Sequence, residues 1–354
     1  MIHFISNNLF FICFAIIILA VLFIDLLFVG KDKHIIGLKE SLIWTSIWVS
    51  IALIFYVFIY LYGHKIHNIN SLSDLEKYLA IYNPNLNIKG LAFTDALAVY
   101  RKSISTDYIT GYLLEYTLSI DNVFVILMIL TGFSVSHSNY KTVLFWGILG
   151  AIILRFLFIF AGSALIQRFE WLLLVFGAFL VYSGIKMFIE RNKEEKIEVK
   201  DHWLVKYLSK HFSIYPDFIK HYFWKRVDSK FYIPPLFVVL ILIEFTDLIF
   251  ATDSIPAIFS ITRDPYIVFF SNVFAIIGLR SLFFLLIKVV DLFHYLKVGI
   301  SVLLAFVGLK LIFHTYLEHI GFKNIYSLYF ILITLIVSIL ASVIFPETKK
   351  EEIE

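Results

Sequence analysis

Glu244-Phe-Thr-Asp247-Leu-Ile-Phe-Ala-Thr-Asp253-Ser254-Ile-Pro256 is an apolar stretch punctuated by acids, and it has a counterpart upstream in Glu115-Tyr-Thr-Leu-Ser-Ile-Asp121-Asn122. In each, an acid is followed by five residues, an Asp and a small polar residue. Downstream, Gly147-Ile-Leu-Gly-Ala-Ile-Ile-Leu-Arg155 resembles Asn272-Val-Phe-Ala-Ile-Ile-Gly-Leu-Arg280. Further on, Gly184-Ile-Lys186 matches Gly308-Leu-Lys310. Three landmarks recurring in one order make an internal repeat. Each unit contains three apolar spans, and an odd number sets the two copies in opposite membrane orientations. Inverted repeats of this kind are typical of secondary transporters, whose site lies near the bilayer midplane between the halves.

The composition requires such a membrane setting. Of 354 residues, 60% are hydrophobic, 18% aromatic and 16% charged, and the mean hydropathy is +0.87. A soluble domain carries roughly 45–50% apolar and about 25% charged residues. Lipid is therefore the main solvent, which excludes a cytosolic enzyme, a secreted disulfide scaffold and a disordered chain. The net charge of +3 is small and scattered, unlike a nucleic-acid binder. Cys13 stands alone, so an internal disulfide and a multi-cysteine metal site are excluded.

A spanning helix needs about 20 mostly apolar residues. Windows of that kind lie near 8–30, 41–62, 111–132, 142–166, 171–189, 232–259, 266–290, 296–315 and 325–345, predicting an all-α polytopic membrane protein of about nine transmembrane helices. No Lys or Arg precedes the first, which reads as a retained span rather than a cleaved signal. The organisation is two N-terminal spans (1–62), an extracytoplasmic excursion (63–110), repeat unit 1 (111–190), a basic loop (191–231), repeat unit 2 (232–316), and a last span with its tail (317–354). One set of connections carries 17 Lys and Arg and the opposite set 8. The positive-inside bias puts the first set in the cytoplasm, the N-terminus outside and the C-terminus inside. A plasma membrane, the inner membrane of a bacterium, is the expected location. Within the basic loop the run ERNKEEKIEVKD reads as solvated helix. The Trp-, Tyr- and Lys-rich stretch after it reads as a helix at the headgroup level, with His202, His211 and His221 as interfacial residues.

A carboxylate in mid-bilayer costs about 2.5–3.5 kcal/mol on insertion scales, so five of them cost on the order of 10 kcal/mol or more. Glu115, Asp121, Glu244, Asp247 and Asp253 are therefore the candidate cation ligands, with Asn122 and Ser254 beside them. Arg155, Arg280, Lys186 and Lys310 are candidates for charge pairing or gating. Residues six apart on a regular helix point about 120° away from each other. Glu115 and Asp121 thus cannot both face one ion unless the helix is broken; otherwise they serve different positions along a path. Pro256 favours a break. Oxygen ligands without Cys or His suit Mg²⁺, Ca²⁺ and Mn²⁺.

Driving a divalent cation outward against a negative-inside potential costs roughly 4.6 kcal/mol per 100 mV. With no phosphate-binding loop of the G-x-x-x-x-G-K-[ST] type, energy is expected from exchange with protons at a carboxylate that holds either metal or proton. The chain is read as a non-enzyme with no permanently bound cofactor. Its partners are the bilayer and a divalent metal ion, with no nucleic acid and an oligomeric state left open. Gly147, Gly150, Gly177, Gly184 and Gly308 are expected to allow close helix packing. His64, His67, His314 and His319 are expected to be interfacial.

Gly111-Tyr-Leu-Leu-Glu115, Leu118-Ser-Ile-Asp121-Asn122-Val-Phe-Val, Phe145-Trp-Gly-Ile-Leu-Gly-Ala with Arg155, the Glu244–Ala257 stretch and Ser271-Asn-Val-Phe-Ala-Ile-Ile-Gly-Leu-Arg280 together resemble the signature motifs of the TerC (tellurite-resistance C) integral membrane proteins. Asp25-Leu-Leu and Glu40-Ser-Leu-Ile-Trp44 with Trp48 extend the resemblance over nearly the whole chain. It implies a lysine-exporter-like fold and, as in several relatives, Mn²⁺ export that limits manganese toxicity, with the acids named above as the matching positions. Residues 66–95 exceed the connection expected between the second and third spans. Two other readings stay open. One is a non-transporting assembly factor, as plant relatives are in thylakoid membranes, or a tellurite-resistance factor. The other is an intramembrane aspartyl protease, against which stands Phe-Ala-Thr before Asp253 in place of Gly-x-Gly.

Overall fold

In lipid a backbone N–H or C=O finds no water, so a spanning segment has to satisfy its own polar groups, and the α-helix does so. The computed structural model describes residues 14, 16–18, 20–21, 37–133, 135–169, 171–190, 213–214, 225–227, 230–233, 235–289, 295–313, 316–317, 322 and 324–345. Its helices are α1 (Leu38–Tyr62), α2 (Leu72–Tyr82), α3 (Phe93–Gly132), α4 (His137–Arg168), α5 (Leu172–Glu190), α6 (Pro235–Phe259), α7 (Pro265–Val289), α8 (Leu296–Ile312) and α9 (Asn324–Ile344). Among the described residues, seven of these, all but α2 and α8, are long and apolar enough to cross a membrane. Helix α8, of 17 residues, coincides with the eighth expected span. The first, 8–30, lies largely outside the described residues. The chain is an all-α polytopic membrane protein.

Three features differ from expectation. The third span does not begin at 111: α3 runs unbroken for 40 residues from Phe93. At about 1.5 Å per residue it is roughly 60 Å long, twice the hydrocarbon thickness of about 30 Å. The charged residues Asp95, Arg101, Lys102 and Asp107 kept this first part out of any apolar window, but a helix needs no lipid to continue. Second, neither acidic segment is broken. Helix α6 carries Pro256 within its last turn and still reaches Phe259. A proline so near a helix end removes one hydrogen bond and leaves the remaining residues of the turn helical. Third, the basic loop is not all helix. Its described residues form three short strands, β1 (Ser213–Ile214), β2 (Lys225–Val227) and β3 (Lys230–Ile233), in the order β1-β3-β2. Ser213 pairs with Tyr232 in parallel, and Arg226 with Phe231 antiparallel. Aromatic and β-branched residues there favour pleated pairing over helix. The charge run after Glu190, which ends α5, and the three loop histidines lie outside the described residues.

Helices α3, α5 and α7 begin, and α4, α6 and α8 end, on one face, where residues 66–91 fold over them as a cap. Unit 1 (α3–α5) and unit 2 (α6–α8) therefore run in opposite senses, as the repeat requires. Helices α5 and α8 cross backbone to backbone at their glycines. A Cβ on Gly177 would lie 2.8 Å from the Gly308 carbonyl oxygen, and one on Gly308 2.6 Å from that of Gly177. A Cβ on Gly184 would meet the Ser301 carbonyl oxygen at 2.7 Å. Since Gly184 corresponds to Gly308 in the repeat, Gly177 corresponds to Ser301. The two contacts are one contact seen twice about a pseudo-two-fold axis. At the centre lies α7, with 89% of its apolar window buried, whereas in α1 11% is buried by the described residues.

The cap is itself a packed unit. Ser71 begins α2 by accepting the Asp74 N–H at 3.2 Å while its hydroxyl donates to Asp74 Oδ2 at 2.7 Å, a side-chain cap at the helix N-terminus. Leu75 and Leu79 are buried in the same apolar cluster as Ile66, Ile69, Ile88 and Tyr100. Tyr78 Oη donates to Asp264 Oδ2 at 2.5 Å, and His67 Nε2 lies 3.0 Å from the same oxygen. Asp264 also accepts the Tyr266 N–H at 2.9 Å, capping α7 just before Pro265. Burial alone would raise the Asp264 carboxyl, but the His67 charge and the hydrogen bonds from His67, Tyr78 and the Tyr266 amide hold it below the usual carboxylate range. His67, read from the sequence as an interfacial residue, is thus a clamp between the cap and the α6–α7 turn.

Candidate functional site

Arg155 stands near the middle of α4, wholly buried. Its Nη1 donates to Glu115 Oε1 on α3 and to Asn272 Oδ1 on α7 at 2.5 Å, with Ser254 Oγ of α6 at 3.5 Å. Its Nη2 donates to Asp247 Oδ1 on α6 at 3.2 Å. A guanidinium is a rigid fork with five donors, and here one fork ties together four helices and both repeat units. The Ser119 hydroxyl adds a bond to Glu115 Oε1 at 3.4 Å.

This pairing leaves acceptors over. Among the described residues, Glu115 Oε2, Asp247 Oδ2 and Glu244 Oε2 are buried without a hydrogen-bond partner, as is Arg155 Nε. An unmet buried acceptor costs about 1–3 kcal/mol, more for a charged group. Glu244 lies one turn before Asp247, on the same face of α6. Its carboxylate occupies the notch made by Gly150 on α4, where any Cβ would collide with it. Three carboxylates against one guanidinium leave negative charge in excess and oxygens to spare. That arrangement favours a cation or a proton.

The two acids of each repeat separate as a regular helix demands. Asp247 faces Arg155, whereas Asp253, about 120° around α6, accepts a hydrogen bond from Ser183 of α5 at 3.0 Å. Ser254, seven residues after Asp247, returns to the Arg155 side. On α3 Glu115, Ser119 and Asn122 share a face by the same spacing, and Asn122 is buried. The Asp121 backbone lies within α3, but its side chain is outside the described residues.

Of the four basic candidates, Arg155 holds this centre together. Arg280 is buried in α7. Lys186 is exposed on α5, three residues after Ser183, where its charge acts on Asp253. Lys310 lies instead at the cap face, buried beside Asp107 of α3, its Nζ 6.0 Å from the Phe322 ring centroid. Five of the expected ligands, Glu115, Asp247, Ser254, Glu244 and Asp253, are therefore spread over the Arg155 centre, the Gly150 notch and the Ser183 contact. Among the described residues no three His, Cys, Asp or Glu side chains converge as a preformed metal site. His314 and His319 lie outside the described residues.

Reading the sequence missed Asn272, Ser183 and Asp107. Asn272 had a signal, since it opens the second unit's Arg-bearing motif and is an amide in mid-span. Ser183 precedes Gly184-Ile-Lys186 and looks like any small residue of a packing face. Asp107 was hidden in a polar segment read as a connection. Gly150 was expected to admit a helix; it admits a carboxylate.

Comparison with known proteins agrees with this architecture. Residues 100–350 match the profile "Integral membrane protein TerC family". A Salmonella typhi protein named "Putative membrane-bound redox modulator Alx" is 40% identical over 300 residues, covering 84% of each chain. An uncharacterized Myxococcus xanthus membrane protein is 39% identical over 298 residues, covering 84% of this chain and 81% of its own. One from Rickettsia bellii is 34% identical over 333 residues, covering 94% and 96%. No solved structure matches. The match over most of the chain, together with the paired three-helix units and their buried acids, makes this chain a member of the TerC family of integral membrane proteins.

Proposed function

We propose that the chain is a secondary transporter that exports a hard divalent cation, Mn²⁺, in exchange for protons across a bacterial inner membrane, with its N-terminus outside and its C-terminus in the cytoplasm. The observation that carries this reading is the Arg155 centre: acids from both units meet at one guanidinium, each keeping an oxygen with no partner among the described residues. A site shared by two opposed units is open to one side or the other as the units rock. A cation arriving at Glu244 and Asp247 competes with Arg155 for the Asp247 carboxylate, and protons replace it when it leaves. Asp253, turned away from this centre toward Ser183, serves as a further station on the path.

The test is flux from proteoliposomes. Mn²⁺ efflux driven by an opposing proton gradient is expected, at least about tenfold slower for Asp247→Asn and Asp253→Asn. Efflux by the intact protein that ignores the proton gradient would overturn exchange, and no flux at all would overturn transport. Running Mn²⁺, Mg²⁺, Ca²⁺ and Zn²⁺ side by side gives the selectivity.

A second reading comes from the relatives named for redox modulation. With Cys13 as its single cysteine the chain cannot form an internal disulfide. Redox modulation would therefore act through a transported ion or through a partner rather than an internal dithiol. A redox phenotype that persists in Cys13→Ser and disappears in Asp247→Asn would place it downstream of transport.

A further inference from the structure

Arg155 lies between two kinds of acceptor. Glu115 Oε1 and Asp247 Oδ1 are charged, whereas Asn272 Oδ1 and Ser254 Oγ are neutral. Of the neutral pair Asn272 is the closer, at 2.5 Å against 3.5 Å. Its orientation is fixed from both ends. A guanidinium offers donors and no acceptor, so only the amide oxygen can face it. The amide nitrogen, Nδ2, donates to the Val268 carbonyl one turn back at 3.2 Å. Asn272 is wholly buried on α7, the central helix. In the repeat it holds the place of Gly147, so the first unit has no side chain at that landmark. A divalent charge pulls far more strongly on the two carboxylates than on a neutral amide. When a cation takes Asp247, Nη2 gives up its bond to that carboxylate while Nη1 keeps its bond to Asn272. Stripping acceptors from a buried guanidinium is costly, so an acceptor that stays behind eases the release of the carboxylate.

We infer that Asn272 is a positioning residue, the berth that holds Arg155 while a divalent cation occupies Asp247, and that it thereby sets how tightly the cation is bound. The inference rests on the cation-transport reading above and deepens it. Without the amide oxygen, Arg155 depends on Glu115 and Asp247 alone for strong bonds and competes harder for them. With a carboxylate at position 272, Arg155 has a counter-charge of its own and competes less.

Mn²⁺ binding to the full chain in detergent tests this, read from the free-ion signal in electron paramagnetic resonance at neutral pH. Asn272→Leu removes the acceptor at nearly constant volume and should bind Mn²⁺ about tenfold more weakly than the parent. A cooperative melting transition shows that the variant is folded. Asn272→Asp keeps an acceptor of the same size and should bind at least as tightly as the parent. A side chain that merely filled space would give the reverse, with Leu harmless and a buried Asp harmful. In proteoliposomes Asn272→Leu should raise KM for Mn²⁺ efflux about tenfold and leave the maximal rate within about twofold of the parent's. Parent-like Mn²⁺ binding in folded Asn272→Leu overturns the berth and leaves transport standing. If that variant does not fold, Asn272→Asp decides, and weaker binding than the parent's overturns the berth. A parent chain that binds no Mn²⁺ overturns the transport reading and the berth with it.

Discussion

Glu115 and Asp247, which hold the same place in the two repeat units, are ion-paired to one and the same guanidinium, that of Arg155. The pseudo-symmetry of the fold is thus broken at its chemical centre: two equivalent acids share one base. Arg280, which holds Arg155's place in the second unit, is buried in α7 and is the base of neither pair.

The first prediction concerns the support that this arginine gives. Arg155→Met leaves two buried carboxylates uncompensated and should cost about 3–5 kcal/mol of stability, seen as a lower melting temperature and yield. Adding Glu115→Gln and Asp247→Asn to the same chain should recover much of the loss, because the charges are then removed together. A triple variant no more stable than Arg155→Met would show that the guanidinium acts by packing rather than by charge.

Glycine substitutions should divide by the atoms that the added methyl meets. At Gly308 it meets backbone, the Gly177 carbonyl and the Val181 amide, which cannot step aside. Gly308→Ala should therefore destabilise by about 1–3 kcal/mol. At Gly150 it meets the far end of Glu244, which can swing away. Gly150→Ala should melt within about 1 kcal/mol of the parent, yet slow Mn²⁺ efflux about as much as Glu244→Gln. Wild-type flux in Gly150→Ala would remove Glu244 from the path.

The cap should respond to acid. The Asp264 carboxyl is held below its usual range chiefly against burial, by His67 and by hydrogen bonds from His67, Tyr78 and the Tyr266 amide. A depressed folded-state value means that the stabilisation is present above the unfolded value of about 3.9 and is lost as pH falls through the folded one. Protection of the α2 amides, their exchange rate relative to the intrinsic rate at each pH, should therefore be high at neutral pH and fall only in strong acid. Asp264→Asn should lower it already at pH 7, and protection in that variant equal to the parent's at pH 7 would dismiss the clamp.

Asp253 and Ser183 form a pair of unequal partners. Ser183→Ala removes one neutral donor from the carboxylate and should slow efflux less than Asp253→Asn, which removes the charge itself. Proteoliposome rates for both, at matched protein density, would decide it. Equal and complete loss in the two would instead point to a hydroxyl that belongs to the path.

Much of the architecture could be read from apolar length and repeated landmarks, because lipid allows so few solutions. Eight expected spans coincide with helices. The errors fall where that constraint lifts. Helix α3 begins at Phe93 rather than 111 because its first turns stand outside the apolar windows, where hydropathy says nothing about helicity. The strands at 225–227 and 230–233 likewise lie in a polar connection. At the site, the acids could be named from their cost in lipid, and the six-residue spacing already required the two in each unit to part company. Which partner each would find was not in the local sequence. Arg155 reaches Asp247 across 92 residues and Asn272 across 117, and only the packing of units in opposite senses brings them together.

The unbroken length of α3 has a mechanical consequence. One end of this rod is gripped among the cap residues, and Glu115 rides on it 22 residues farther along, about 33 Å away. A rod with no joint transmits tilt. Any rocking of the cap must sweep Glu115 sideways against Arg155, and any rearrangement at Arg155 must be felt at the rim. The cap and the Arg155 centre are two ends of one lever.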